Sequence, residues 1–314
     1  MNHHPKKNEQ RILVIGADSM IGSALSQKLR RLGKNILETT RRSETLSNER
    51  IFLDFDKDIS SLNVPDNVFM AFFCAATSSL EYCRREPAKT RKVNIDNTVK
   101  IAEMLVKKDV SVVFLSTNLI HDGSVPFVKA DAPVSPRTEH GYQKAEAEKR
   151  LLELGDLITV IRLSKILCHR VPLIQDWTFA LQNQKVIHPF YDKVVAPLPL
   201  SFAVGVLSCM TERQLPGIIQ VSGNQDVTYA QLAIYLAKQM EVNQDLIQPI
   251  CAKESGMFLE HLPSHTTMDN SRLIRELKME APNVLSFLDS LIAQSIATTA
   301  FQKSLNHLFS RKTQ

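Results

Sequence analysis

Short apolar runs alternate with longer amphipathic stretches through the first half of the chain, the rhythm of a parallel sheet wound with crossover helices. Six runs predict strands: Ile12–Ile15, Ile36–Thr39, Ile51–Leu53, Val68–Cys74, Ser111–Leu115 and Leu157–Arg162. Several are apolar nearly throughout, as strands covered on both faces should be. Met20–Leu32, Pro87–Lys107 and Thr138–Leu154 carry helical periodicity. Pro87 suits a first helical turn, where its missing N–H costs nothing. The fold class expected is α/β, a doubly wound parallel sheet.

After Arg162 the rhythm changes. Prolines cluster at Pro172, Pro189, Pro197 and Pro199 around a helix-like Trp177–Gln184. Ile218–Val221 reads as one more strand, returning to the first sheet, and Thr228 as the cap of a helix over Tyr229–Met240. Pro282–Gln314 is expected to be helical and ends in a basic polar tail. The chain thus divides into a polar leader (1–10), a sheet-bearing unit (11–165), a smaller C-terminal lobe (166–281) and a helical extension (282–314).

Composition narrows the function classes. With 44% hydrophobic and 23% charged residues, the 314-residue chain can bury a substantial core. The net charge of +5 is small, and its basic pairs (Arg41-Arg42, Arg84-Arg85, Arg91-Lys92, Lys107-Lys108) are dispersed. A nucleic-acid binder concentrates such charge on one face, so no nucleic-acid partner is expected. The cysteines show no CxxC pairing and the histidines no HExxH spacing, so neither a disulfide framework nor a metal site is expected. Unpaired cysteines fit a reducing cytoplasm. No apolar run is long enough to span a membrane, and no signal-peptide core follows Met1–Gln10.

The first chemical signal is Gly16-Ala17-Asp18-Ser19-Met20-Ile21-Gly22, which follows the first strand and opens a helix. That context suits a dinucleotide-binding turn, with backbone N–H groups at the helix start facing a pyrophosphate. Gly16 would allow the tight turn and Gly22 close packing of helix on strand, while Ser19 replaces the usual middle glycine. A purely structural turn is the competing reading. The second strand ends in Thr39-Thr40-Arg41-Arg42, where NAD sites place a carboxylate and arginines accommodate a 2′-phosphate. NADP is therefore favoured over NAD, against a plain basic loop. Cys74-Ala75-Ala76 ends the fourth strand, small enough for a ribose to pass. A redox role for Cys74 has little support.

His140-Gly141-Tyr142-Gln143-Lys144-Ala145-Glu146-Ala147-Glu148 resembles the active-site helix of the extended short-chain dehydrogenase/reductases, with His140 where a tyrosine should stand. Ser116-Thr117-Asn118-Leu119-Ile120-His121-Asp122-Gly123 is similar to the Ser-Thr-Asp-Tyr-Val-Phe-Asp-Gly segment of dTDP-4-dehydrorhamnose reductases. Together with Arg162-Leu163-Ser164-Lys165, the resemblance covers residues 11–280. It points to the rhamnose-reductase-like branch of the NAD-dependent epimerase/dehydratase superfamily. That branch implies a Rossmann domain over 11–165 and a substrate lobe over 166–281. It implies Asp54 beside the adenine and Asn94 steadying the helix region, although a loop aspartate and a partly exposed helical asparagine compete. Thr117 would hydrogen-bond the substrate carbonyl and Lys144 would hold the nicotinamide ribose. A homodimer is also implied.

Aligning Tyr142 with the catalytic tyrosine would put Glu146 in the lysine's place. Keeping Lys144 loses only the tyrosine. Residues four apart share a helix face, so His140 and Lys144 approach one site, whereas Tyr142 points roughly 200° round the helix from His140. Lys144 would depress the histidine pKa and leave a neutral imidazole, a poor proton source. Two functions follow. One is an NAD(P)-dependent reductase or epimerase of a nucleotide-linked sugar with a degenerate site, in which His140 or water supplies the proton. The other is a catalytically impaired, cofactor-binding regulator or scaffold.

Overall fold

The computed structural model describes residues 10–59, 62–291 and 293. Its strands are β1 (Arg11–Ile15), β2 (Ile36–Thr40), β3 (Arg50–Phe52), β4 (Val68–Phe73), β5 (Ser111–Thr117), β6 (Ile158–Leu163), β7 (Ile166–Leu167), β8 (Val194–Val195), β9 (Leu198–Pro199), β10 (Gly217–Val221) and β11 (Val227–Thr228). Its helices are α1 (Met20–Arg31), α2 (Leu80–Arg85), α3 (Pro87–Arg91), α4 (Thr98–Val106), α5 (Glu139–Leu152), α6 (Pro172–Gln182), α7 (Leu200–Cys209), α8 (Tyr229–Gln239) and α9 (Ser271–Leu277). A wide helical turn, Lys92–Asn97, joins α3 to α4.

The main sheet runs β10-β6-β5-β4-β1-β2-β3, every pair parallel. From β1 the chain winds outward one way to β3, then returns to β4 and winds the other way. The order therefore reverses between β1 and β4, and ligands bind outside the carboxyl ends of strands at such a switch. Alternate residues of β1 feed two cores. Ile12 and Val14 meet Leu25 and Leu29 of α1, Val204 and Leu207 of α7 and Leu273 of α9. Leu13 and Ile15 meet Ile101 and Leu105 of α4 and Ala147 and Leu151 of α5. A third cluster holds the smaller lobe together, with Trp177 and Leu181 of α6 against Leu232 and Leu236 of α8 and Val284 and Leu288.

Each of the six strands read from the sequence is present, and the Ile218–Val221 segment pairs in parallel with β6. The helix read as Trp177–Gln184 instead begins at Pro172, whose fixed φ suits its first turn. Three helices were not expected: α2, α7 and α9. Of the Pro282–Gln314 segment, residues 284–291 are helical, and 294–314 lie outside the described residues, as does the leader up to residue 9. Among the described residues no helix is long and apolar enough to cross a membrane, and no cluster of ligating side chains could hold a metal ion.

Candidate active site

Two glycines shape the turn after β1, for different reasons. Gly16 has φ +83°, and a Cβ there would lie 2.6 Å from the backbone nitrogen of Ala75. Its conformation and its contact with the loop after β4 both require glycine. A Cβ on Gly22 would lie 2.3 Å from the Gly16 carbonyl oxygen, so this glycine lets α1 settle onto the turn. Ser19 has φ −73° and needs no glycine. Its hydroxyl caps α1 by accepting from the Gly22 N–H at 3.0 Å. The turn thus presents the positive end of α1, at Met20 and Ile21, to the sheet's carboxyl edge.

At the end of β2 the acids are already engaged. Glu38, buried in the strand, takes Arg30 and Arg50, each at 3.1 Å. Asp18 accepts from Thr40 Oγ1 and pairs with Arg50, both at 2.6 Å. Partial burial raises its pKa, but the Thr40 hydrogen bond and the Arg50 and Arg42 charges outweigh that and lower it overall. Arg41 and Arg42 stand exposed beside this cluster. Asp54 is half-buried and caps its own turn, accepting from the Asp56 N–H at 3.1 Å.

The loop after β4 joins the glycine turn to α5. Ala75 abuts Gly16, and two residues on, Thr77 is clamped by Asn94. The Asn94 amide accepts from the Thr77 N–H at 2.8 Å, donates to its carbonyl at 2.9 Å, and donates to Gln143 Oε1 at 2.7 Å. Asn94 is 2% exposed, so the reading of it as a partly exposed helical residue does not hold. Gln143 in turn donates to Thr90 at 2.8 Å and to Glu139 at 3.0 Å, and Arg91 forks onto Glu139. One polar chain therefore fixes α5 against the loop after β4.

Thr138 caps α5 by accepting from the Gly141 N–H at 3.1 Å. A Cβ on Gly141 would lie 2.3 Å from the Leu119 carbonyl oxygen, so the helix presses directly on the short turn that follows Thr117. Thr117, half-buried at the carboxyl end of β5, accepts from the Leu119 N–H at 3.2 Å. His140 and Lys144 both point inward and are buried, whereas Tyr142 is 52% exposed. The Lys144 ammonium lies 3.8 Å from the centre of the Phe114 ring. Burial lowers its pKa to about 7, partly opposed by Glu148 one turn on.

His140 faces the Cys83 thiol of α2, Nδ1 to Sγ 3.8 Å. Burial first, then the Lys144 charge, lower its pKa to about 4, despite a hydrogen bond with the Thr77 backbone. It is therefore a neutral imidazole at pH 7. Behind it Glu148 meets Arg162 of β6 at 2.8 Å, both side chains 3% exposed. Cys74 is buried in the core beneath α1, where desolvation pushes its pKa up to about 12; such a thiol is inert, which removes the redox reading.

The fold has known counterparts. The family described as the RmlD substrate binding domain matches residues 10–296. The chain belongs to that family. It is therefore of the dTDP-4-dehydrorhamnose reductase-like branch of the short-chain dehydrogenases. A dTDP-4-dehydrorhamnose reductase of Aggregatibacter actinomycetemcomitans is 25% identical over 296 residues, covering 84% of this chain and 92% of that protein. Methionine adenosyltransferase 2 subunit beta of Bos taurus is 20% identical over 278 residues, covering 84% of this chain and 81% of that one. Among solved structures, MoeE5 in complex with UDP-glucose and NAD superposes with a TM-score of 0.76 at 19% identity, over 92% of this chain and 99% of that one. The Bacillus anthracis dTDP-4-dehydrorhamnose reductase in complex with NADP gives 0.74 at 14%, over 91% and 98%. These likenesses establish the family's fold.

Sequence reasoning missed Cys83, Gln143, Glu139 and the Glu148–Arg162 pairing. One signal was available for two of them. The inward stripe of α5 carries His140, Gln143, Lys144 and Glu148 at helical spacing, polar residues where core residues belong.

Proposed function

We propose that this protein binds NADP and a nucleotide-linked sugar at the carboxyl edge of its sheet, and that its reductase or epimerase chemistry is throttled at proton transfer. The observation that carries this reading is His140: buried, neutral and turned to Cys83 and Thr77, in the place of the family's tyrosine. The glycine turn suits a pyrophosphate because Gly16 and Gly22 hold it close against Ala75 and α1, so that the start of the helix faces the sheet's carboxyl edge. Ser19 and the α1 start at Met20 and Ile21 would face its phosphates. Arg41 and Arg42 would take a 2′-phosphate, since Glu38 and Asp18 are committed to arginines and to Thr40. Asp54 would border the adenine, and Cys74, Ala75, Ala76 and Asn94 would line the ribose path. NAD would lack the partner that these arginines await. When bound, the nicotinamide supplies or accepts a hydride.

The remaining chemistry falls to the chain. Thr117 offers its hydroxyl to the sugar carbonyl, and Lys144 holds the ribose. A neutral imidazole with its N–H engaged gives up no proton, so protons reach the site from Lys144 or from water. A second reading, a cofactor-binding regulatory or scaffold subunit, is favoured by the same histidine and by the likeness to an adenosyltransferase β subunit.

The test is titration with NADPH and NADH, then turnover of dTDP- and UDP-linked ketosugars by the wild type and His140→Tyr. NADPH should bind more tightly, and the tyrosine should raise slow turnover by about tenfold or more. NADPH binding with no turnover in either protein would favour the regulatory reading, and failure to bind either nucleotide would overturn both.

A further inference from the structure

The smaller lobe leaves a strip of apolar surface uncovered. A groove of about 280 Å³ runs between α8 and the helix over residues 284–291. Val227, Leu232 and Ile234 line one side, and Val284, Leu285 and Leu288 the other. Val284 and Leu288 also serve the lobe's core and are buried, but Leu285 is 52% and Ile234 40% exposed. The two walls are tied together: Tyr235 of α8 donates to Asp289 at 2.6 Å, and its hydroxyl lies 3.4 Å from the Leu285 carbonyl oxygen. The groove is therefore a built feature of the lobe, and its half-exposed leucine and isoleucine favour a cover.

The chain that follows supplies a matching surface. One wall of the groove is the 284–291 helix itself, so residues 294–314 leave from the end of that wall. In their sequence Phe301, Leu305, Leu308 and Phe309 fall at i, i+4, i+7 and i+8, with Gln302, Lys303, Ser304, Asn306 and His307 between them. That spacing puts one apolar stripe on an otherwise polar helix. A helix this short is marginal in water and needs an apolar surface to hold it. The Thr298-Thr299 pair just before it has weak helix propensity and favours a break. Leu285 lies about 9 Å back along its helix from Leu291 at the usual rise per residue. Antiparallel helices need a connection of only about 2–5 residues, so 294–299 suffices to bring Phe301 back beside the groove. Tethered in this way, the segment meets the groove at an effective concentration on the order of 1 mM.

We propose that residues 300–310 fold back as an amphipathic helix and bury Phe301, Leu305, Leu308 and Phe309 in this groove, against Leu285 and Ile234. The chain thereby covers its own apolar face. The inference is independent of the cofactor and substrate proposed above.

The experiment is hydrogen–deuterium exchange of the full chain, read against a synthetic peptide of residues 294–314. Amides of 301–309 should exchange about tenfold or more slowly in the chain than in the peptide. Leu305→Asp in the segment, and separately Leu285→Asp and Ile234→Asp in the groove, should each return them to the peptide's rate. Both groove positions are half-exposed, so these substitutions spare the core. Leu305→Asp should also speed exchange in the 284–291 helix, which tests the contact from the other side should a groove variant not fold. Peptide-like exchange in the wild type overturns the proposal and leaves the groove to a separate protein. Protection that survives both groove variants, or 284–291 exchange unmoved by Leu305→Asp, overturns it equally. So does protection that appears only as protein concentration rises and dimer forms in the ultracentrifuge, which would assign the groove to a second copy.

Discussion

Replacing Glu148 by glutamine removes one charge of an ion pair that water does not reach. The Glu148 and Arg162 side chains are each 3% exposed and meet at 2.8 Å, with a second contact from Arg162 Nε at 3.1 Å. Arg162 keeps one other acceptor, the Ala130 carbonyl at 2.9 Å. Glu148→Gln leaves a buried guanidinium uncompensated, a change that costs ~3–5 kcal/mol. A neighbouring pair supplies the control. Arg150 meets Asp96 at 3.2 Å with 38% and 64% of the side chains exposed, and Asp96→Asn should cost below ~1 kcal/mol. Urea unfolding followed by circular dichroism at pH 7 measures both. Glu148 is also the charge that opposes the depression of the Lys144 pKa, so its loss should neutralise Lys144 further and weaken NADPH binding. Equal destabilisation by the two substitutions would refute the claim that burial makes the Glu148 pair different in kind.

His121 and His140 both have pKa values lowered from 6.5 to about 4, chiefly by burial. The unfolded chain takes up these protons first, so stability is fully present above pH 6.5 and is lost as pH falls toward 4. Each histidine should account for about 2 kcal/mol between pH 7 and 5, and His121→Asn should flatten the measured slope by about that share. Lys144 is depressed from 10.5 to about 7, so at neutral pH the fold holds only about half of a charge that the unfolded chain carries in full. Lys144→Met should therefore raise unfolding free energy by about 4 kcal/mol while weakening NADPH binding, and a loss of stability would contradict the burial argument. Removing the guanidinium groups of Arg41 and Arg42 together should erase the preference for NADPH over NADH in paired titrations, with NADH affinity little changed.

The parallel sheet could be read because its strands are apolar runs that need no distant information. The glycine turn and the α5 register were legible for a similar reason, since spacing within one segment defines them. Three helices escaped. Leu200–Cys209 is apolar around most of its circumference and packs into the core it shares with the sheet, α1 and α9, so it lacks the one-sided stripe by which a surface helix is recognised. Leu80–Arg85 and Ser271–Leu277 are too short for periodicity to show. Contacts between remote segments were equally hidden. Nothing in the sequence couples Asn94 to Gln143, or brings Cys83 of α2 against His140, because tertiary packing alone supplies the partner.

The wide turn Lys92–Asn97 has a consequence for how its helix can vary. Its looser winding acts as one extra residue, a phase step of about 100° between α3 and α4. Within that turn the chain answers to the Thr77 backbone through Asn94; downstream, Ile101 and Leu105 answer to the sheet. A uniform spiral could satisfy one of these masters and not the other. The kinked winding is thus the gear that lets a loop-clamping amide and a greasy flank share a single rod.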